Sequence, residues 1–133
     1  MIFHFLYDLQ QQFPTYEIYA EGLEQDSIQE FILLREMPGS ARGYPDNRIQ
    51  GQIQITVRNH DMFLARQISG AIFDYMRERH NVTLQQHPDD SSGVGDLFVR
   101  HIVAMQPPYS MGRDGDGPFR YVNNYQVTYQ KPV

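Results

Sequence analysis

The residues with the clearest chemical potential lie in "MGRDGDGPF", residues 111–119, where Asp114 and Asp116 are each followed by a glycine. Two carboxylates so close together can share a divalent cation, or they can turn a corner between strands, because aspartate and glycine both tolerate positive φ. A calcium loop of the helix–loop–helix kind needs oxygen ligands at alternate positions, a glycine at the sixth and a closing carboxylate at the twelfth. Counted from Asp114, the glycine arrives early at Gly117 and the closing position is Tyr125. The flanking residues alternate like strands, so the segment reads as a hairpin tip.

No other grouping carries a reaction. The five histidines, His4, His60, His80, His87 and His101, show no pair at helical zinc spacing. No nucleophile elbow, phosphate-binding loop or dinucleotide fingerprint is present. Asp89 and Asp90 adjoin in a loop with no flanking apolar pocket to perturb them. Cysteine is absent, which removes thiolate chemistry, cysteine-ligated zinc and disulfides together. These absences predict no catalytic residue, no metal site and no cofactor.

Charge limits the partners. The net charge is -5, and every basic residue except Lys131 is an arginine. Those arginines are dispersed along the chain rather than gathered into a basic run, which argues against a protein that grips nucleic acid. Arginine in place of lysine suits fixed ion pairs and subunit interfaces, since the planar fork loses little freedom per hydrogen bond formed. The opening "MIFHFLYDLQQQF" lacks the pattern of an export signal, no segment approaches a membrane span, and Asn81-Val82-Thr83 reads as a chance sequon.

The elements that must hold these residues are legible from periodicity. With 133 residues the chain reads as a single domain, 1–133. "DMFLARQISGAIFDYMRER" (61–79) places Leu64, Ala65, Ile68, Ala71, Ile72, Tyr75 and Met76 at helical spacing, with Asn59 or Asp61 as cap and Arg77, Arg79 and His80 at the far end. "IFHFLYDLQQQF" gives a shorter helix ending before Pro14. "RIQGQIQITVR" (48–58) alternates, with Ile49, Gly51, Ile53, Ile55 and Val57 on one face and Gln50, Gln52, Gln54 and Thr56 on the other. "RYVNNYQVTY" (120–129) alternates likewise. "FILLRE" and "LFVRHIVAM" are apolar on both faces, as central or covered strands are, and "TYEIYAEG" (15–22) completes about five. Three proline- and glycine-rich segments, 37–47, 86–96 and 106–118, read as long loops. The expected architecture is α+β: a mostly antiparallel sheet of about five strands with two main helices packed on one face.

From Arg48 onward this order of signals resembles the tail terminator proteins of long-tailed bacteriophages, often labelled minor capsid proteins. The residues that carry the resemblance are the strand ending in Val57-Arg58, the helix containing Ala65, the loop with Pro108-Tyr109 and Gly112-Arg113-Asp114, and the closing strand Asn124-Tyr125-Gln126-Val127. The resemblance implies a structural virion protein, not an enzyme. It implies a homo-oligomeric ring, usually a hexamer, that caps the tail tube, ends its polymerisation and meets the head-completion proteins. DNA would be only passing cargo in the lumen, which an acidic chain would repel. The location implied is the head-proximal end of the phage tail, after assembly in the host cytoplasm.

Within that frame the contact residues expected are Gln50, Gln52 and Gln54, whose amides can bond across a subunit seam without burying charge, although an ordinary solvated face fits them equally. Arg113, Asp114 and Asp116 join them, at a hairpin reaching towards the tube or a neighbour. Another head–tail connector or tail-completion protein is the nearest alternative, and a small metal-binding or enzymatic domain is a further one.

Overall fold

A computed structural model describes residues 1–20, 30–37, 48–77, 79–113 and 115–130. Two helices, α1 (Ile2–Gln12) and α2 (Met62–Met76), pack on one sheet. Its strands are β1 (Ile18–Ala20), β2 (Phe31–Met37), β3 (Arg48–Asn59), β4 (His80–Leu84), β5 (Leu97–Ala104), β6 (Tyr109–Arg113) and β7 (Phe119–Gln130). The order across the sheet is β1-β2-β3-β7-β5-β4, with β6 paired to β7 off this path.

The α+β class stands, and the sheet differs from expectation in size and direction. Among the described residues there are seven strands rather than about five, because β4 and β6 were hidden. β4 has only one buried residue, Leu84, and its Asn81 takes φ 51°, while β6 is exposed throughout and sits in a segment dense in proline and glycine. Neither burial nor alternation marks such strands. The sheet is also mixed: β1 runs parallel to β2, with Ile18 beside Ile32 and Ala20 beside Leu34, whereas the other pairs are antiparallel. A tight hairpin cannot deliver parallel neighbours.

β3 and β7 form the spine. They pair over their full lengths, from Arg48 opposite Gln130 to Asn59 opposite Phe119. The far edge of β7 is shared end to end by β5, which pairs with Tyr125–Gln130, and β6, which pairs with Phe119–Val122. At the junction between them the Met105 amide donates to the Asn124 carbonyl, and Asn123 Nδ2 donates to the Gln106 carbonyl at 2.8 Å. β2 and β5, the strands apolar on both faces, are both interior to the sheet.

The core lies between this sheet and the helices. α1 contributes Ile2, Phe5, Leu6 and Leu9 at helical spacing, and α2 contributes Ala65, Ile68, Ile72 and Met76. They meet Ile53, Ile55 and Val57 of β3 and Tyr125 and Val127 of β7 in one cluster. α2 is capped by Asp61, whose carboxylate accepts from the Phe63 and Leu64 amides, while Asn59 Oδ1 accepts from the Asp61 amide. The helix stops at Met76, so Arg79 and His80 lie beyond its end rather than on its last turn, and Leu64 is exposed rather than core-facing. Arg79 instead ties α1 down. Its Nη1 donates to Asp8 at 2.7 Å, and the Tyr75 hydroxyl donates to the same carboxylate at 3.0 Å.

Candidate functional site

Strand alternation decides which side chains leave the core. On β3 the odd positions, Gly51 to Asn59, are buried against the helices, which turns Gln50, Gln52, Gln54, Thr56 and Arg58 onto the opposite, helix-free face. Register then sets their neighbours across the sheet. Gln50 lies opposite Thr128, Gln52 opposite Gln126 and Gln54 opposite Asn124, so the three glutamines form part of a continuous amide and hydroxyl ladder along the spine. Thr128 Oγ1 continues it sideways to His101 Nε2 at 3.2 Å.

The same parity gathers arginines that are dispersed in sequence. Within β2, β3, β5 and β7 the side chains alternating onto this face include Arg35, Arg48, Arg58 and Arg120, and among the described residues no carboxylate. Glu36 falls on the helix side, opposite Ile53, where its charge raises the Tyr129 phenol further after burial has already raised it. Dispersion along the chain therefore does not mean dispersion on the surface. Arg48 and Arg120 have partners of their own. Arg35 is exposed and makes no ion pair among the described residues, and Arg58 lies over the Phe31 ring at 5.1 Å with its Nε buried and unbonded.

Where β6 meets the spine the face becomes concave. Leu33, Arg35, Gln54, Arg58, Tyr109 and Met111 border a hollow of about 260 Å³. Tyr109 and Met111 are exposed large apolar residues, as are Val103 and Met105 just before them. A hollow lined by both apolar and guanidinium side chains suits a carboxylate carried on, or next to, an apolar side chain.

The expected contact residues divide between two places. Gln54 lines the hollow, and Gln50 and Gln52 lie further along β3. Arg113 and Asp116 stand apart at the tip of the β6–β7 hairpin, and Asp114 lies outside the described residues. Arg113 acts within its own turn: its guanidinium donates to the carbonyls of Gly117 at 2.7 Å and Asp116 at 3.1 Å, and covers Phe119. The Asp116 residue is exposed. Among the described residues no three His, Asp or Glu side chains gather as a metal site would require. Sequence reading missed Arg35, Arg58, Tyr109 and Met111. Arg58 was within reach, since it shares parity with the glutamines of β3.

A second hollow, of about 580 Å³, opens on the helix side. Phe3, Leu6 and Gln10 of α1 face Ile18 and Tyr19 of β1 and the segment His87–Ser92 across it. That segment is the middle of an organised loop. His4 Nε2 donates to the Gly95 carbonyl at 2.8 Å, Gln86 Nε2 donates to the Asp90 carbonyl at 2.7 Å, and the Gly95 amide donates to Gln86 Oε1. Asp90 accepts from the Ser92 amide at 2.9 Å, and bonds from Ser92 hold its carboxyl below the ordinary range.

No protein-family model and no curated protein matches the chain. Several solved chains are similar; one of them matches over 96% of this chain and 88% of its own, at 14% identity and a TM-score of 0.56, its designation names no activity, and the likeness is one of fold. Among the described residues no helix is long and apolar enough to cross a membrane.

Proposed function

We propose that the protein is a ring-forming structural component of a phage virion, of the tail terminator kind, which closes the head-proximal end of the tail tube and meets the head-completion proteins. The observation that carries this reading is the helix-free face. A solvated sheet face is ordinarily mixed in charge, whereas this one joins an uncharged amide ladder to exposed apolar residues and arginines. Such a surface buries readily against protein, because amides can exchange bonds with water for bonds with a partner without stranding a charge. The β6–β7 hairpin, whose Tyr109 and Met111 line the hollow, offers a second contact element.

Native mass spectrometry with negative-stain microscopy tests the reading, on the purified protein alone and with tail tubes. The expected product is a closed ring with an open centre, six-membered if the resemblance holds in full, seated on tube ends and halting their growth. A protein that remains monomeric and leaves tube growth unchanged would overturn it.

A further inference from the structure

We infer that the arginine-lined hollow on the helix-free face receives the acidic loop at residues 86–96 of a second copy of the chain. The inference names the self-contact of the proposed ring and rests on that reading for its biological setting, but the geometry that carries it is independent.

The two surfaces are complementary in chemistry. The hollow is lined by Arg35 and Arg58 together with the buried Phe31 and Val122 and the exposed Tyr109 and Met111. The loop presents the opposite set. Asp89 has a side chain 93% exposed, Asp90 adjoins it, and Val94 is an exposed large apolar residue a few positions on. A carboxylate with an apolar neighbour is what guanidinium groups set among apolar side chains can hold. Arg58 already has part of the burial such a contact needs: its Nε is buried without a hydrogen bond, and its guanidinium carbon lies 5.1 Å from the centre of the Phe31 ring.

The loop is also shaped in advance. Its bonds to His4 and within the Gln86–Gly95 segment fix the backbone, so docking sacrifices little conformational freedom. A hollow of about 260 Å³ has room for one or two side chains rather than a folded element, which matches a loop tip.

Position excludes the contact within one molecule. The loop packs on α1, which covers the helix side of the sheet, while the hollow opens on the opposite face. Complementary patches on opposite sides of one chain can be satisfied only between copies, each offering one patch and receiving the other.

Sedimentation velocity on the full chain tests the contact with the exchanges Arg35→Glu and Asp89→Arg. Both positions are exposed, and unchanged melting temperatures will confirm that each variant folds. The expected result is self-association of the wild type that weakens by about tenfold or more in each single variant and returns when the two variants are mixed. Each variant then supplies the intact patch that the other lacks, and the swapped charges attract in the reciprocal contact. A wild type that stays monomeric at every concentration would overturn the inference, as would association indifferent to both exchanges or not restored by mixing. The two levels separate cleanly. Rings that form but ignore these exchanges leave the virion reading standing without this contact, whereas a rescued contact in a protein that never engages tail tubes leaves the contact standing without that reading.

Discussion

Tyr125 is among the largest side chains in the core, and its hydroxyl is buried with no hydrogen-bond partner. An unpaired buried hydroxyl forgoes the bonds it made to water, so its removal relieves a penalty while the ring still fills the site. Tyr125→Phe is therefore expected to leave stability unchanged or raise it by about 1 kcal/mol in chemical denaturation. The same residue shapes behaviour in alkali. Burial, and then the charge of Asp74, raises the Tyr125 phenol, and burial with Asp8 pushes Tyr75 up to about 12. Near pH 10 the unfolded chain begins to release these protons while the folded chain retains them. Stability from this source is thus complete below pH 10 and falls as pH rises towards 12. Tyr125→Phe should flatten that fall, and an unchanged alkaline melting profile would refute the assignment. Asp8 accepts from both Arg79 and Tyr75 in a site where the two charged side chains are only 17% and 19% exposed. Asp8→Asn leaves a largely buried guanidinium without its counter-charge, and a loss of about 2 kcal/mol is expected by urea titration.

At the scale of elements, the β6–β7 hairpin depends on one backbone conformation. The register between the strands shifts between Ser110 and Gly112, and Gly112 takes φ 80°, where a Cβ meets no neighbour but collides with its own backbone. Gly112→Ala should lower stability by about 1 kcal/mol, and because nothing crowds the site, hydrogen exchange should quicken in β6 before it does in β3. The hairpin also shows what sequence could deliver. β3 and both helices were legible because each buries one continuous face, and β7 because its buried Tyr125 and Val127 alternate with Asn124 and Gln126, which writes a period of two or of 3.6 into the residue order. β6 buries no residue, so its strand pairing left no mark on "YSMGR" and the segment read as loop. The amide face was legible for the same reason as β3, since Gln50, Gln52 and Gln54 oppose a buried row. The hollow was not. It arises where β2, β3 and β6 meet across the spine, and pairings between distant strands are invisible to a reading that proceeds along one segment at a time.

At the scale of the whole molecule, the arrangement of charge matters more than its sum. A chain with net charge -5 repels its own copies on average, yet its strands β2, β3, β5 and β7 turn arginines and no described carboxylate onto one face, and an acidic loop lies on the other. If these two patches meet as inferred above, their opposite charges steer copies head to tail only where solution ions do not screen the field. The screening length falls from about 10 Å at 0.1 M salt to about 3 Å at 1 M. Steering acts before contact, whereas the amide ladder and the apolar residues around Tyr109 and Met111 act after it, so salt should separate the two. The association rate is expected to fall steeply with added salt while the dissociation rate changes little, as measured by light scattering after rapid mixing and after dilution. Gln52→Ala combined with Gln126→Ala, which removes facing amides from the ladder without touching the core, should do the reverse: association at low salt continues at its former rate, and dissociation quickens. An association rate indifferent to salt would show that the asymmetry of charge plays no part in assembly, and a ladder variant that dissociates like the wild type would show that the amide face stays in solvent.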